Sequence, residues 1–272
     1  MIYLLGDVHG CFGHILPALR ADDPADGKPK TAIFLGDIEA QRPLEDEIAP
    51  LLDAGIGVWF IHGNHDTDSS RNWEHLLPSW HRNLHGRVAM IEGLRVAGLG
   101  GIFRGKVWYP PATERLFDSY ADYERDLRQK RGIKNRLSKM DKVQMQAVPS
   151  PRSDADLLDT SRQGKLLLHS STIFPDVYDQ LAKQKADILV THEAPSCHPH
   201  GFVAIDLLAQ AMEVEALFHG HQHDCLNYRA WDATLRFKAY GVGFCGITDM
   251  FGGKLLAGDF DEARHYREGH PL

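Results

Sequence analysis

Five times in this chain of 272 residues, a short apolar run breaks off into a polar, glycine-bearing turn. The runs are IYLLGDVHG (2–10), TAIFLGDIE (31–39), GVWFIHGNHD (57–66), ADILVTHEAP (186–195) and EALFHGHQH (215–223). Four to six β-branched, Leu or aromatic residues without alternation read as strands buried on both faces. Helical patterns separate them: HILPALRA after the first run, RPLEDEIAPLLDAG after the second, VYDQLAKQK before the fourth. This alternation predicts an α/β domain with a substantially parallel sheet. VAGLGG (96–101) reads as a further short strand and glycine turn closing the first half. In such sheets ligands sit outside the carboxyl ends of the strands, where every one of these polar turns lies.

The ligand-capable residues at the five strand ends are Asp7 and His9, Asp37, Asn64 and His65, His192, and His221 and His223. In an extended segment, the patterns D-x-H and H-x-H each place two side chains on one side. Carboxylate, imidazole and amide together suit divalent Mn, Fe, Zn, Co or Ni. The lack of thiolate argues against a structural zinc site. Even seven of these eight exceed what one ion needs, and a carboxylate such as Asp37 can bridge two, so the set implies a dinuclear centre with ions roughly 3.5–4 Å apart. Residues that merely cap strand ends would explain any single block, but not the joint pattern.

The rest of the chain narrows the class. An apolar fraction of 43% is enough for a real core, and a net charge of -7 argues against general affinity for nucleic acid. Cys11, Cys197, Cys225 and Cys245 lie far apart without a C-x-x-C pair, so reduced thiols are expected, with Cys11 a small buried residue beside the first turn. No apolar run approaches the roughly 18–20 residues that span a bilayer. Met1 leads straight into IYLL, which leaves no room for a signal peptide, and a cytoplasmic protein is expected.

One stretch breaks the rhythm. Residues 104–165 carry fourteen Lys or Arg against nine Asp or Glu, so this segment is basic while the remainder is acidic. Residues 118–146 are helical in composition, and Pro149 and Pro151 mark a break. The expectation is a solvated helical insertion in a single domain spanning 1–272. The sharper alternative is a cap presenting Arg125, Arg128, Lys130, Arg131 and Lys134 to an anionic substrate. Trp108 and Tyr109 at its start read as core packing of the cap rather than as base-stacking residues.

G-D-x-H (6–9), G-D (36–37), G-N-H-D (63–66), T-H (191–192) and G-H-x-H (220–223), in that order, resemble the calcineurin-like metallophosphoesterases. The resemblance covers residues 1–103 and about 186–260. It implies a four-layer sandwich, two central mixed β-sheets flanked by helices, with the 104–165 segment as a helical insertion. It also implies one metal held by Asp7, His9, Asp37 and His223, and a second sharing Asp37 and adding Asn64, His192 and His221. Two divalent ions, with manganese expected, would then supply a shared hydroxide for in-line attack on phosphorus. His65 beside Asn64 would protonate the leaving group.

The N-terminal block GDVHGC is similar to the diadenosine-tetraphosphatase and protein-phosphatase-like branch, but the match stops there. In that branch a carboxylate partner for the catalytic histidine and a phosphate-clamping arginine follow the second block, where this chain has Ala40 and Gln41. Glu39 or Asp66 is expected to replace the carboxylate and Arg42 the charge. His62 stands where a second arginine would, and with His198 and His200 it joins the expected substrate contacts. The subfamily therefore stays open. The expected activity is hydrolysis of a phosphomonoester or phosphodiester, with a nucleotide or small phosphorylated metabolite as substrate and no membrane partner. A nuclease or phosphoprotein phosphatase is the second reading, and an inactive protein-binding scaffold the third.

Overall fold

Alternate residues of each strand face opposite ways, and this decides the architecture. A computed structural model describes residues 1–22, 30–110, 114–142 and 164–261. One sheet has the order β10-β9-β1-β2-β3, built from Lys254–Leu256, Ile247–Asp249, Ile2–Leu5, Thr31–Leu35 and Gly57–Ile61. The other runs β4-β5-β6-β7-β8, from Arg87–Ile91, Leu94–Leu99, Ile188–Thr191, Ala216–His219 and Lys238–Gly241. In the first sheet β1, β2 and β3 are parallel and β9 and β10 form an antiparallel extension from β1. In the second, β5 to β8 are parallel and β4 is antiparallel.

Ile2, Leu4, Ile33, Leu35 and Ile61 of one sheet meet Val96, Ile188, Val190 and Phe218 of the other in a shared buried seam. Their strand neighbours Tyr3, Leu5, Phe34 and Phe60 point the other way, onto α1 (Ile15–Ala21), α2 (Leu44–Asp53) and α3 (Ser70–Leu76). Ala97, Leu99, Leu189 and Leu217 likewise face α6 (Pro175–Leu181) and α7 (Val203–Met212) on the far side of the second sheet. The result is helix, sheet, sheet, helix. The central strands β1, β2, β6 and β7 are buried on both faces because each of their faces is covered. Truncating a seam residue such as Phe218 to Ala would cost about 3–5 kcal/mol, since nothing can collapse into the gap between two sheets.

Strands β4, β8, β9 and β10 leave no clear signal in the sequence, for local reasons. β4 (RVAMI) exposes Arg87 and Met90, while β8, β9 and β10 are three or four residues long. These are too short or too open to show a continuous apolar run. Cys11, expected to be buried, is exposed.

The chain on either side of the 104–165 segment comes together where Ile102 pairs with Thr172. Within it, α4 spans Tyr120–Lys142, followed after residue 163 by α5 (Lys165–Leu168). Tyr123 anchors α4, buried 4.2 Å from the ring of His169 and in edge contact with Phe117. Arg125 pairs with Asp122, Arg128 with Glu124 and Lys130 with Asp126, all on the same helix. Such exposed pairs, screened by solvent, contribute little to stability. These three cations are therefore answered along the helix's own surface, while Arg131 is exposed. The side chain of Lys134, and residues 143–163, lie outside the described residues. Trp108 is buried against Phe103 and Tyr178 with Arg115 over its ring, whereas Tyr109 is half exposed beside Phe202. Among the described residues no helix is long and apolar enough to cross a membrane. The last helix, α8, covers Asp232–Leu235.

Candidate metal centre

The chain turns sharply where its parallel strands end. His9, Asp37, Glu39, His221 and His223 all take left-handed backbone angles, with φ of 42°, 43°, 45°, 65° and 59°. For residues with a Cβ this costs of order 1–2 kcal/mol each, and it persists only where the surroundings impose it. Two glycines allow the backbone to crowd in. A Cβ on Gly63 would lie 2.2 Å from Asp37 Oδ1, and one on Gly220 would lie 2.6 Å from Asp7 Oδ1.

These turns bring seven side chains from both sheets together. His9 Nε2 lies 3.3 Å from His223 Nε2 and 4.0 Å from Asp37 Oδ2. His223 Nε2 is 3.5 Å from Asp7 Oδ2. On the other side, His192 Nε2 lies 3.3 Å from Asp37 Oδ2 and 3.1 Å from Asn64 Oδ1, and its ring centroid is 4.8 Å from that of His221. Two sets, His9–Asp37–His223 and Asp37–His192–His221, could each hold an ion, with ligand atoms within 4.8 Å of one another. Asp37 belongs to both.

Hydrogen bonds outside the cluster aim these ligands. His192 Nδ1 donates to the Leu35 carbonyl at 2.8 Å, and His9 Nδ1 donates to Glu39 Oε2 at 2.5 Å. In each ring this turns Nε2 inward, the nitrogen that a ligating imidazole presents to a metal. Asp37 Oδ1 accepts from the backbone N–H of His65 at 2.8 Å, freeing Oδ2.

Charge makes the same case. Asp7 and Asp37 are fully buried, and Asp7 Oδ1, Asp7 Oδ2 and Asp37 Oδ2 are left without a well-formed hydrogen bond, although the His221 backbone and His192 face Asp7 and His192 Nε2 stands 3.3 Å from Asp37 Oδ2. Burial pushes the Asp7 carboxyl well above its usual range, His192 opposing. Burial would raise Asp37 too, but His192 outweighs it and holds that carboxylate low. His192 is pushed up to about 10, because Asp37 and Asp7 overcome the cost of burying its charge. His221 is pushed down to about 3, by burial first and then by His192, so it stays a neutral donor. Buried, partnerless oxygens in a nest of nitrogen donors are what divalent cations satisfy, so these residues fit a metal centre.

The residues expected around the metals separate into distinct groups. His65 is part-exposed at the rim, its ring centroid 5.3 Å from that of His9. Its Nδ1 donates to Asp68 Oδ2 at 2.6 Å. Burial disfavours the charged ring, but Asp68 and Asp37 outweigh it and raise its pKa. The carboxylate partner is thus Asp68, not Glu39 or Asp66. A one-turn 3-10 helix over His65–Thr67 puts position i+3 beside His65, and G-N-H-D-T-D held that signal in its last residue. Glu39 serves His9 instead.

Asp66, expected to be catalytic, is fully buried, and both of its oxygens are occupied by backbone. Oδ1 accepts from Ile38 and Glu39 and Oδ2 from Gly63, at 2.8–2.9 Å. It pins the second turn to the third.

The expected substrate contacts lie elsewhere. Arg42 points out to Glu47 at 3.3 Å. His62 is buried among Trp73, Trp80 and His85, and burial pushes its pKa well down. His198 is buried against Asp224 and accepts from the His200 N–H, while His200 lines an aromatic cavity with Trp108, Tyr178 and Phe202. His219, next to the last ligand pair, is buried and bonded to Tyr228.

Comparison with known proteins agrees with this geometry. A family model described as calcineurin-like phosphoesterase matches residues 1–225. An uncharacterized protein of Haemophilus influenzae is 36% identical over 261 residues, covering 94% of this chain and 96% of its own length.

Proposed function

Because the chain belongs to the calcineurin-like phosphoesterase family, we propose that it hydrolyses a phosphoric ester on a nucleotide or small phosphorylated metabolite, using two divalent ions, manganese foremost. The observation that carries this is the convergence of two ligand sets on the shared Asp37, with partnerless buried oxygens between them. Asp7, His9, Asp37 and His223 would hold one ion, and Asp37, Asn64, His192 and His221 the other. When bound, such ions acidify a water to serve as nucleophile and neutralise charge on the phosphoryl oxygens.

The remaining chemistry belongs to the side chains. His65, oriented through Nδ1 by Asp68, is the acid that gives its Nε2 proton to the leaving oxygen. Leu35 and Glu39 keep His192 and His9 in the ligating tautomer. Asp66 holds the turns that carry Asp37 and His65 at fixed separation. The pairing of the α4 cations along their own helix favours a small substrate over a polymer that would need an open basic groove.

The test is a hydrolysis panel with Mn over p-nitrophenyl phosphate, bis-p-nitrophenyl phosphate, cyclic nucleotides, dinucleoside polyphosphates, a phosphopeptide and single-stranded DNA. Turnover should fall on small esters and vanish in Asp37→Asn together with bound metal. A protein that takes up no metal under anaerobic Mn or Fe loading would refute the reading. His65→Ala should keep both metals and lose activity mainly on poor leaving groups.

A further inference from the structure

Arg104 lies two residues past Ile102, where the insertion departs from the body. Its Nη2 donates to Ser171 Oγ at 3.2 Å. That hydroxyl is 2.7 Å from Thr67 Oγ1, which in turn donates to the Asn64 carbonyl at 2.9 Å. Two hydroxyls therefore tie the guanidinium to the turn bearing Asn64 and His65. The carboxylates whose charge bears on it are Asp68, Glu193 and Asp37: the partner of His65, the neighbour of His192 and the shared ligand. Yet Arg104 makes no ion pair among the described residues, and its Nε is buried with no hydrogen bond at all. A guanidinium has five donors, and only one contact here occupies any of them.

A permanent cation, part-buried, tied through Ser171 and Thr67 to the turn that carries Asn64 and His65, and with most of its donors uncommitted, is arranged for an anion. We propose that Arg104 binds the phosphoryl group of the substrate and so selects phosphomonoesters, or terminal phosphates, over phosphodiesters. This rests on the phosphoesterase reading above. A monoester has three non-bridging oxygens and up to two negative charges; a diester has two such oxygens and one charge. The seven ligands and their ions answer two oxygens. The third is present only in a monoester, and a guanidinium meets it with charge-assisted hydrogen bonds. In a diester that position carries an esterified oxygen, a poor acceptor with a substituent attached. The sequence concealed this residue because it lies outside all five motif blocks, at the head of the basic segment.

The experiment uses the full chain loaded with Mn, as wild type, Arg104→Ala and Arg104→Lys, with metal content and melting temperature recorded for each. Binding of inorganic phosphate is measured by equilibrium dialysis, and kcat and KM on p-nitrophenyl phosphate and bis-p-nitrophenyl phosphate. Arg104→Ala should weaken phosphate binding and monoester kcat/KM by about 10- to 100-fold, the worth of a hydrogen-bonded charge. Diester kcat/KM should change by less than about 3-fold, with metal content unchanged, and Arg104→Lys should recover part of the monoester loss. Unchanged phosphate affinity, or equal losses on both esters, would overturn the proposal. If Arg104→Ala loses its metals or its fold, Arg104→Lys decides: a monoester loss no larger than the diester loss refutes selection. If the wild type hydrolyses neither ester, the phosphoesterase reading falls, while the phosphate dialysis still decides whether Arg104 binds the anion.

Discussion

Replacing Asp66 by Asn separates a structural pin from a proton carrier. The carboxylate accepts three backbone hydrogen bonds, from Ile38 and Glu39 on Oδ1 and from Gly63 on Oδ2. An asparagine can keep its single oxygen on Ile38 and Glu39, but must then turn its NH2 toward the Gly63 N–H, donor against donor. The two retained bonds fall from charge-assisted to neutral, losing about 1 kcal/mol each, and the buried Gly63 donor is stranded at about 1–3 kcal/mol. Against this stands a gain. Burial, then the charge of Asp37, pushes the Asp66 carboxyl up to about 7, so its ionised form is already costly and a neutral amide is relieved of that cost. The net loss is about 2–4 kcal/mol, or a melting temperature about 5–10 °C lower for a domain of this size.

The assay is urea and thermal unfolding in EDTA at pH 8, where the wild-type carboxylate is ionised, alongside Mn stoichiometry and kcat. Asp66→Ala strands all three donors and should be worse than Asp66→Asn in every unfolding measurement. Both variants should lose activity in step with metal affinity, because the pinned turns carry Asp37 and Asn64. If Asp66→Asn melts within about 1 °C of wild type, binds its full complement of metal and still loses turnover, the pin is wrong and Asp66 lies in the proton path.

Asp68→Asn keeps an acceptor for His65 Nδ1 but removes the negative charge that helps raise it, so its pKa falls and the alkaline limb of the rate profile on poor leaving groups should move to lower pH; an unmoved limb would detach Asp68 from the acid. Gly63→Ala places a Cβ against Asp37 and His192 and should weaken Mn binding by about 10- to 100-fold, whereas Gly13→Ala, with nothing within 4 Å, should match wild type in the same titration. His85 is part-buried, accepts from the Gly100 N–H, and is pushed down to about 4 by desolvation of its ring. Its folded pKa lies below the unfolded value, so its contribution is complete above about pH 6.5 and is lost as pH falls toward 4. In EDTA, wild type should lose about 2 kcal/mol more than His85→Asn between pH 6.5 and 4.5, and parallel urea curves would exclude it.

What was legible in the sequence was whatever is local. Each ligand sits within five residues of the end of an apolar run, so the run gave the strand, the strand end gave the place, and the residue type gave the chemistry. The layering was only half legible: doubly apolar strands imply cover on both faces, but not that one cover is a second sheet. Contacts made across the fold left no trace. Ser171 and Thr67 are 104 positions apart, and Arg104 joins them only once β5 and α5 are in place. His62 looked like a site residue because it stands next to Gly63. Just past β3, however, neighbours face opposite ways, and the ring of His62 falls among Trp73, Trp80 and His85.

The pairing of Ile102 with Thr172 makes the segment between them a cassette with a single doorway. Once a loop's two ends are fixed side by side, doubling its length costs only about 0.6 kcal/mol in closure entropy. The cassette can thus be lengthened, shortened or exchanged with little strain on the metal ligands, which all lie outside it. Arg104 stands just inside the doorway and is tied to the His65 turn through Ser171, at the cassette's other end. Grafting a cassette from another member of the family at residues 103–171 would therefore keep the metals, and would lose the monoester grip unless an arginine were kept at its threshold.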